Sequence, residues 1–386
     1  MTIKGEDTVK FCKKCVQPDT RPGIYFTADG VCGACLYEEE KEKIDWNARV
    51  QELKDIAEWA KKTTKTAYDC AIGVSGGKDS TFQALYARDQ LGLRPLLVNS
   101  EPEGITDIGR KNIENLKNLG FDVIGIRPNP VVMKKLIKRD FYKYLNPVKI
   151  TEFSLWASTY IIAHAFRIPL IIQGENPGLT LGVRKTGVGV DGDALKADEL
   201  NTLSSGWEEY LDEGVTERDL FVFHYDRKEL VKEGVKGVWL QYYMKEWSQS
   251  GNLEFSIAHG LTIRPEYFNP YDFGTYAGYY QMDGDLMHMN QMLKYFKFGF
   301  GQCTDHACYD IRAGLLTREE AIELVKRYDG KCGVQYIQKF CDYIGITMKE
   351  FWRVVDTFVN KDLFLKDSIT GRWKPKFEVG VDFDVK

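Results

Sequence analysis

The sequence SGGKDS at residues 75–80 decides the fold and indicates a binding chemistry. It follows an apolar run at 68–74, which predicts a buried strand, and it precedes residues 80–91, which have the composition of a helix. A helix that starts after a glycine turn presents backbone N–H groups without intrahelical partners, and its dipole adds partial positive charge there. The segment therefore predicts a site for an anion such as the polyphosphate of ATP.

The loop is not a Walker A motif, because Ile72 occupies the position of its first glycine and an aspartate follows the lysine. Glycines allow close approach and positive φ, the lysine supplies a cation, and the serines supply hydroxyl donors. Asp79 either caps the helix or helps to hold a metal ion. A glycine turn without any ligand is the alternative. The candidate residues are Ser75, Gly76, Gly77, Lys78, Asp79 and Ser80.

Strands and helices alternate after the loop, which favours a doubly wound, mostly parallel α/β sheet with both faces covered. In such sheets the ligand binds beyond the carboxyl ends of the strands. Strands are expected at 68–74, 94–99, 122–126 and 170–173, and helices at 80–91, 105–119, 131–144 and 153–166. Further candidates for nucleotide binding lie at the ends of predicted strands: Asn99, Ser100, Gly174, Glu175 and Asn176. For Glu175 and Asn176 the alternative is a capped turn without a ligand.

Four cysteines near the start have the spacing C-x2-C-x16-C-x2-C, which is typical of a zinc site: Cys12, Cys15, Cys32 and Cys35. Each C-x-x-C pair can supply two ligands of a tetrahedron, and four protein ligands leave no open position. The sequence therefore predicts a structural zinc ion. A redox pair and unligated thiols are the alternatives.

The net charge of −4 argues against a broad nucleic-acid-binding surface. The first residues lack an apolar signal segment, and no run approaches the ~18 apolar residues of a membrane span. We expect a cytoplasmic protein that binds neither membrane nor nucleic acid.

Five segments together carry a resemblance to a known family. They are CKKCVQPDTRPGI at 12–24, GVCGAC at 30–35, SGGKDS at 75–80, QGENP at 173–177 and KFGFGQCTDHACYDIRAGLLTREEAI at 297–322. The chain resembles the N-acetyl sugar amidotransferases of WbpG and PseA type, in the PP-loop ATP pyrophosphatase superfamily, over nearly its whole length. The resemblance implies a PP-loop (HUP-like) sheet with an N-terminal four-cysteine zinc module and a mostly helical C-terminal region.

The resemblance also implies a reaction. ATP, Mg2+ and ammonia would convert the acetamido group of a sugar into an acetamidino group, with release of AMP and pyrophosphate. The sugar would be an acidic, nucleotide-linked one for lipopolysaccharide O-antigen, or a pseudaminic-type acid. In this scheme Asn99 and Ser100 meet adenosine, while Glu175 and Asn176 contact AMP, Mg2+ or the sugar. Five residues are weaker candidates for binding the sugar: Lys294, Lys297, Asp305, His306 and Arg312. His306 either transfers a proton or has a structural role.

We divide the chain into a zinc module at 1–45, a linking helix at 46–66, a PP-loop ATP-binding domain at 67–230 and a mainly helical substrate or partner region at 231–386. The glycine-rich stretch at 186–193 either closes over substrate or is a connector.

The sequence lacks the nucleophile patterns of a glutaminase domain, so ammonia is expected from a separate protein. The resemblance suggests a pair like the glutaminase and cyclase subunits of histidine biosynthesis.

Two other functions are weighed against amidation. A tRNA-thiolating PP-loop enzyme needs sulfur-carrying cysteines and a basic surface, but the later cysteines form no C-x-x-C. A zinc-ribbon interaction module on an inactive ATPase fold is disfavoured by the intact loop at 75–80.

Overall fold

The central element of the computed structural model is a five-stranded parallel sheet with the order β3-β2-β1-β4-β5. The structure describes residues 9–183, 190–200, 203, 205–211 and 214–383, so residues 186–189 of the glycine-rich stretch lie outside it. The sheet strands are β1 (Cys70–Gly73), β2 (Pro95–Ser100), β3 (Asp122–Ile126), β4 (Leu170–Gln173) and β5 (Lys236–Trp239). A separate antiparallel pair is formed by β6 (Phe364–Lys366) and β7 (Trp373–Pro375).

The strand order places a topological switch point beside β1. Cys70 pairs with Pro95 of β2 on one side and with Leu170 of β4 on the other. The chain adds β2 and β3 in one direction and β4 and β5 in the other. A ligand crevice is expected outside the carboxyl ends of strands that diverge in this way. The SGGKDS loop after β1 and the segment after β4 both lie at that edge.

Fifteen α-helices lie in the described part of the chain. They are α1 (Gly33–Glu40), α2 (Trp46–Thr63), α3 (Lys78–Asp89), α4 (Asp107–Asn118), α5 (Pro130–Tyr144), α6 (Lys149–Ala165), α7 (Pro177–Thr180), α8 (Arg227–Lys232), α9 (Gln249–Ala258), α10 (Pro270–Phe273), α11 (Leu286–Phe298), α12 (Gln302–Arg312), α13 (Arg318–Tyr328), α14 (Val334–Ile344) and α15 (Met348–Phe358). Short 3-10 turns occupy Lys41–Lys43, Leu195–Glu199, Trp207–Tyr210, Phe221–Phe223 and Leu240–Tyr243.

Both faces of the sheet are buried, as the doubly wound prediction requires. In β1, Ala71 belongs to the apolar cluster that contains α5, α6 and the late helices, whereas Cys70 and Ile72 belong to the cluster with α2 and α3. Side chains alternate between faces along a strand, so this partition means that helices cover each side. The predicted α/β fold is confirmed.

The cysteine module packs against helices from the far end of the chain. Its cysteines share an apolar cluster with Cys303 and Ala307 of α12 and with Val325 of α13. At the start of α13, Arg318 Nε donates to the carbonyl oxygens of Cys12 at 3.2 Å and Cys15 at 3.1 Å. The N-terminal module is therefore attached to the C-terminal region and not to the sheet alone.

Some local boundaries differ from the sequence-based expectation. The helix expected at 46–66 is α2, which ends at Thr63, and a 3-10 turn and Asp45, which caps α2 by accepting from Ala48, separate it from α1. Strand β5 lies within residues 231–386, the region predicted to be mainly helical. The division of the chain into domains stays a prediction. No helix of the described residues combines the length and apolarity that crossing a bilayer requires.

Candidate functional site

The SGGKDS loop forms an uncapped helix N-terminus. Helix α3 begins at Lys78, and its N-cap residue is Gly77, for which the structure shows no side-chain cap. Gly76 has a φ of +77°, and a Cβ there would lie 3.0 Å from Asn112 Cβ on α4. A larger residue would be strained and crowded, so glycine is needed for this turn. The free N–H groups of the first turn are left for a ligand.

Lys78 is buried in the middle of the loop, with only 4% of its surface exposed. Its Nζ lies 2.6 Å from Asp79 Oδ2 and 4.4 Å from the ring centroid of Tyr280. A carboxylate and an aromatic face both stabilise a buried ammonium group. Lys78 is therefore held as a cation at the mouth of the anion site.

A segment from the C-terminal region covers the loop. Residues 279–283, here called the cover segment, line a cavity of about 130 Å³ together with the loop and α4. At its far end Thr106 N donates to the Asp283 carbonyl at 3.0 Å. Since a water molecule occupies ~30 Å³ of liquid, the cavity has the size of phosphate groups and not of a whole nucleotide.

One buried arginine fixes the cover segment. Arg264 donates to the carbonyl oxygens of Tyr280 at 2.6 Å and Gln281 at 2.7 Å, and more weakly to Gly278 at 3.3 Å. Its Nη2 also lies 2.9 Å from His288 Nε2. Burial and the Arg264 charge lower the pKa of His288 to about 3, so this nitrogen accepts from the guanidinium. The planar fork of arginine satisfies several acceptors that a lysine could not.

Helix α9 connects the loop to the strand end after β4. Asn252 Nδ2 donates to Asp79 Oδ1 at 2.8 Å, and Ser256 Oγ donates to the Lys78 carbonyl at 2.7 Å. One turn earlier, Gln249 Nε2 donates to Glu175 Oε1. Sequence reasoning missed this helix, although its polar residues at positions 249, 252 and 256 share one face and are buried.

Glu175 lies at the junction of these elements. Burial and the charge of Asp79 raise the pKa of its carboxyl to about 7, against the opposing effects of Lys78, the bond from Gln249 and Arg312. The carboxyl of Glu175 is therefore close enough to Asp79 for their charges to interact.

Asn176 has a structural part in the same turn. Its Oδ1 accepts from Gly178 N at 2.8 Å and caps α7, while its Nδ2 donates to the Asp191 carbonyl at 3.0 Å. Gly174 precedes both residues, and a Cβ there would collide with Gln83 Nε2. Asn176 thus matches the capped-turn alternative in geometry, and its contact with a ligand stays a prediction.

Asn99 and Ser100 close β2 at the same edge. Asn99 is buried, and its Nδ2 donates to the Val74 carbonyl at 2.7 Å, immediately before the loop. Asn99 therefore supports the backbone that leads into SGGKDS. A contact of Asn99 or Ser100 with adenosine stays a prediction.

None of the five candidate sugar residues lines the phosphate cavity. Lys294 Nζ lies 2.8 Å from Asp305 Oδ2, and Asp305 also forms an ion pair with Arg21 of the cysteine module. Lys297 Nζ donates to the Tyr144 carbonyl at 3.1 Å, and burial lowers its pKa to about 8. These groups are engaged within the protein, and their role toward a sugar stays a prediction.

His306 lies behind Tyr280. Its ring stacks on the tyrosine ring with centroids 3.6 Å apart, and its Nδ1 lies 2.6 Å from Thr275 Oγ1. Burial lowers the pKa of His306 well below the usual value, so the ring is neutral. The structure thus places His306 behind the cover segment and not among the residues that line the cavity.

Arg312 lies between the cysteines and the strand edge. Its Nη2 lies 3.3 Å from the Thr180 carbonyl, and the neighbouring thiols raise its pKa against the effect of burial. Of the five candidates for the sugar, Arg312 is the one that lines a cavity beside Gln249.

The four N-terminal cysteines form a site that fits zinc. Their Sγ atoms all lie within 4.8 Å of one another, and all four residues are buried. Four soft sulfur ligands at this separation match the donor set of a structural zinc ion. The prediction of the four-cysteine cluster is confirmed, and the cluster could hold zinc.

Comparison with known families identifies the C-terminal part. Residues 271–377 match the family described as "LPS biosynthesis protein WbpG-like, C-terminal domain". Residues 271–377, called the WbpG-like domain below, are similar to this family. The match confirms the resemblance to WbpG-type proteins over these residues, and the WbpG-like domain contains the cover segment.

Other comparisons add little. No curated protein matches the chain in sequence. The chain is similar to an NMN synthetase from Francisella tularensis, with 15% identity, 58% of this chain and 100% of that chain covered, and a TM-score of 0.30. It is also similar to an NH3-dependent NAD synthetase from Campylobacter jejuni subsp. jejuni NCTC 11168 in complex with the nitrate ion, with 16% identity, the same coverages and a TM-score of 0.29. At these TM-scores neither likeness carries an argument.

Proposed function

We propose that the protein is an ATP-dependent N-acetyl sugar amidotransferase, a C–N ligase that turns an acetamido group into an acetamidino group. One observation carries the proposal: a segment of the WbpG-like domain covers the SGGKDS loop and encloses a phosphate-sized cavity around Lys78. The cavity accounts for nucleotide use, and the domain family connects that use with lipopolysaccharide biosynthesis.

In the first step, the acetamido oxygen attacks the α-phosphorus of ATP. A new O–P bond forms, the bond to the β-phosphate breaks, and the amide nitrogen loses its proton, so that an adenylylated imidate and pyrophosphate result. Lys78 and the free N–H groups of α3 stabilise the charge that develops on pyrophosphate. Adenylation is needed because an amide oxygen leaves poorly.

Magnesium fits this site through Asp79, whose carboxylate offers the oxygen ligands that Mg2+ prefers and lies at the phosphate cavity. Bound there, the ion would neutralise phosphate charge. Asn252 holds the orientation of the Asp79 carboxylate through one oxygen.

In the second step, ammonia attacks the imidate carbon, the C–O bond to AMP breaks, and a proton leaves the nitrogen. Glu175 accepts that proton in this proposal. A carboxyl with a pKa of about 7 suits a general base at neutral pH better than an ordinary glutamate does.

The identities of the sugar and the partner also belong to the proposal. An acidic, nucleotide-linked sugar is proposed because Arg312 offers a cation beside the strand edge. A separate glutaminase is proposed as the ammonia source.

The decisive experiment supplies the purified protein with ATP, Mg2+, ammonium and a nucleotide-linked diacetamido-uronic acid. We expect AMP and pyrophosphate in equal amounts, and a sugar whose mass reflects exchange of oxygen for NH. Release of ADP and phosphate would contradict the adenylation step. Lys78→Ala and Ser75→Ala should abolish turnover, whereas Lys111→Ala, at an exposed lysine of α4, should behave as the wild type.

A thiolation function makes a different prediction. A tRNA-thiolating enzyme would bind tRNA tightly and lose that binding steeply with added salt. We expect no such binding in a filter assay at physiological salt.

A further inference from the structure

A second cavity is lined by Gln249, whose side chain donates to Glu175. It has a volume of about 80 Å³ and is lined by α1, the residues after β4, the start of α9 and the end of α12. Among the lining residues are Tyr37, Trp247, Gln249 and Arg312. At ~30 Å³ per water molecule, the volume suits a small polar group such as an acetamido group.

Three polar atoms on the residues that line this cavity have no hydrogen-bond partner among the described residues. They are Tyr37 Oη, Trp247 Nε1 and Gln249 Oε1. Trp247 is 4% exposed and Gln249 is 9% exposed, so water does not readily satisfy these atoms. A buried polar group left without a partner destabilises the folded protein, so these atoms favour a ligand that supplies the missing hydrogen bonds.

Two of the three, Trp247 Nε1 and Gln249 Oε1, are complementary to one secondary amide. Trp247 Nε1–H is a donor only, and Gln249 Oε1 is an acceptor. An acetamido group offers one carbonyl oxygen and one N–H, which matches this pair. A hydrogen bond from the amide N–H to Gln249 would also increase electron density on the amide oxygen, the atom that must attack ATP.

The cavity is close to the reacting centre. Gln249 donates to Glu175, and Asn252, three residues further along α9, donates to Asp79 of the loop. Side chains three residues apart on a helix are neighbours about 5–6 Å apart. A group held at Gln249 therefore lies within reach of both the base and the loop that binds phosphate.

We propose that this second cavity binds the acetamido group that reacts, with Trp247 donating to its carbonyl oxygen and Gln249 accepting from its N–H. This inference rests on the proposed amidotransferase function and names the part of the site that recognises the amide. Arg312 at the same cavity meets an acidic group of the same ligand.

The test measures acceptor binding separately from catalysis. Calorimetry compares the nucleotide-linked diacetamido-uronic acid with an analogue that carries O-acetyl groups and therefore lacks the amide N–H. We expect Trp247→Phe, which keeps an aromatic ring but removes the donor, to weaken binding of both ligands about tenfold. Trp352→Phe on α15, a partly exposed tryptophan outside the cavity, is the matched control and should bind as the wild type.

The Gln249→Met variant tests the second hydrogen bond, from the amide N–H. The wild type should prefer the amide over the O-acetyl analogue about tenfold, and Gln249→Met should lose most of that preference, which a merely structural defect would not do. Unchanged binding in Trp247→Phe together with an unchanged preference in Gln249→Met overturns the assignment of the cavity. Failure of the wild type to release AMP and pyrophosphate with this sugar instead overturns the proposed function.

Discussion

Asn252 Nδ2 lies 2.8 Å from Asp79 Oδ1, a hydrogen bond that joins the loop after β1 to a helix 173 residues further along the chain. The other carboxylate oxygen of Asp79 faces Lys78 Nζ at 2.6 Å. The position of the acid in SGGKDS is thus determined from two sides, by the loop's own lysine and by α9. The loop and α9 form one rigid platform, which is the arrangement that a phosphate site requires.

Asn252→Ala should reduce turnover more than it reduces stability. Loss of a hydrogen bond to a charged group costs about 1.5–3 kcal/mol, so kcat/KM for ATP should fall roughly tenfold to a hundredfold if the bond orients Asp79 for the reaction. Glu254→Gln, on the exposed side of the same helix, serves as the control. Steady-state kinetics with pyrophosphate detection make the measurement, and wild-type kinetics in Asn252→Ala would contradict this role.

Tyr280 is expected to act through its ring and not through its hydroxyl. The ring lies between the Lys78 ammonium, 4.4 Å from its centroid, and the stacked His306 ring, while its OH has no hydrogen-bond partner among the described residues. Tyr280→Leu should raise the KM for ATP several-fold, because a cation–π contact contributes about 0.5–2 kcal/mol. Tyr280→Phe should match the wild type. Equal loss in both variants would show that the hydroxyl matters.

The sequence sufficed for the parts of the site that are local. A strand, a glycine turn and a helix start have their signals within residues 68–91, and the second strand end at 170–176 is set by the same kind of pattern. The parallel direction of the strands follows from the alternation of strands and helices, and the spacing of the two C-x-x-C pairs predicts the four-cysteine cluster. Four of the five sheet strands were predicted within two residues of their observed ends.

The rest depends on contacts between distant segments, which single-sequence patterns do not encode. Strand β5 is a four-residue run whose place is fixed by pairing with β4, and nothing in its composition requires a strand. Gln249, Asn252 and Tyr280 reach the loop only after the C-terminal region folds over it. Glu350 accepts from the Tyr142 hydroxyl, a partner that lies 208 residues away.

The pH dependence should follow Glu175. If its carboxylate accepts a proton from ammonia, kcat/KM rises with pH through the pKa of about 7, since only the deprotonated form acts as a base. The fraction of free ammonia also rises with pH, so the assay must hold the concentration of NH3 constant. Glu175→Gln should lower the rate and abolish this inflection. A wild-type profile that is flat from pH 6 to 8 under constant NH3 would contradict the assignment.

In protein that stays folded without zinc, loss of the metal should weaken binding of the sugar acceptor more than it weakens binding of ATP. Helix α1, which carries Cys35, also lines the cavity with Arg312. We expect one zinc per chain by metal analysis, and Cys12→Ser or Cys35→Ser should give insoluble or zinc-depleted protein. Cys332→Ser, at a cysteine outside the cluster, should retain zinc. A soluble, fully active Cys12→Ser variant without zinc would contradict the structural role.

Substitution of Arg264 tests whether the cover segment of the WbpG-like domain must be held over the loop for nucleotide binding. Its guanidinium is buried, burial lowers its pKa to about 10, and it donates to the carbonyl oxygens of two successive residues, Tyr280 and Gln281. Arg264→Lys keeps the charge but removes the planar fork, so at least one buried carbonyl loses its donor at a cost of about 1–3 kcal/mol. We expect a Tm several degrees lower and a smaller thermal shift on addition of ATP, because the cover segment no longer holds Tyr280 against Lys78. Arg353→Lys, at an exposed arginine of α15, is the matched control. If Arg264→Lys lowers the Tm while the ATP-dependent shift keeps its wild-type size, Arg264 supports the fold alone and the cover segment contributes nothing to nucleotide binding.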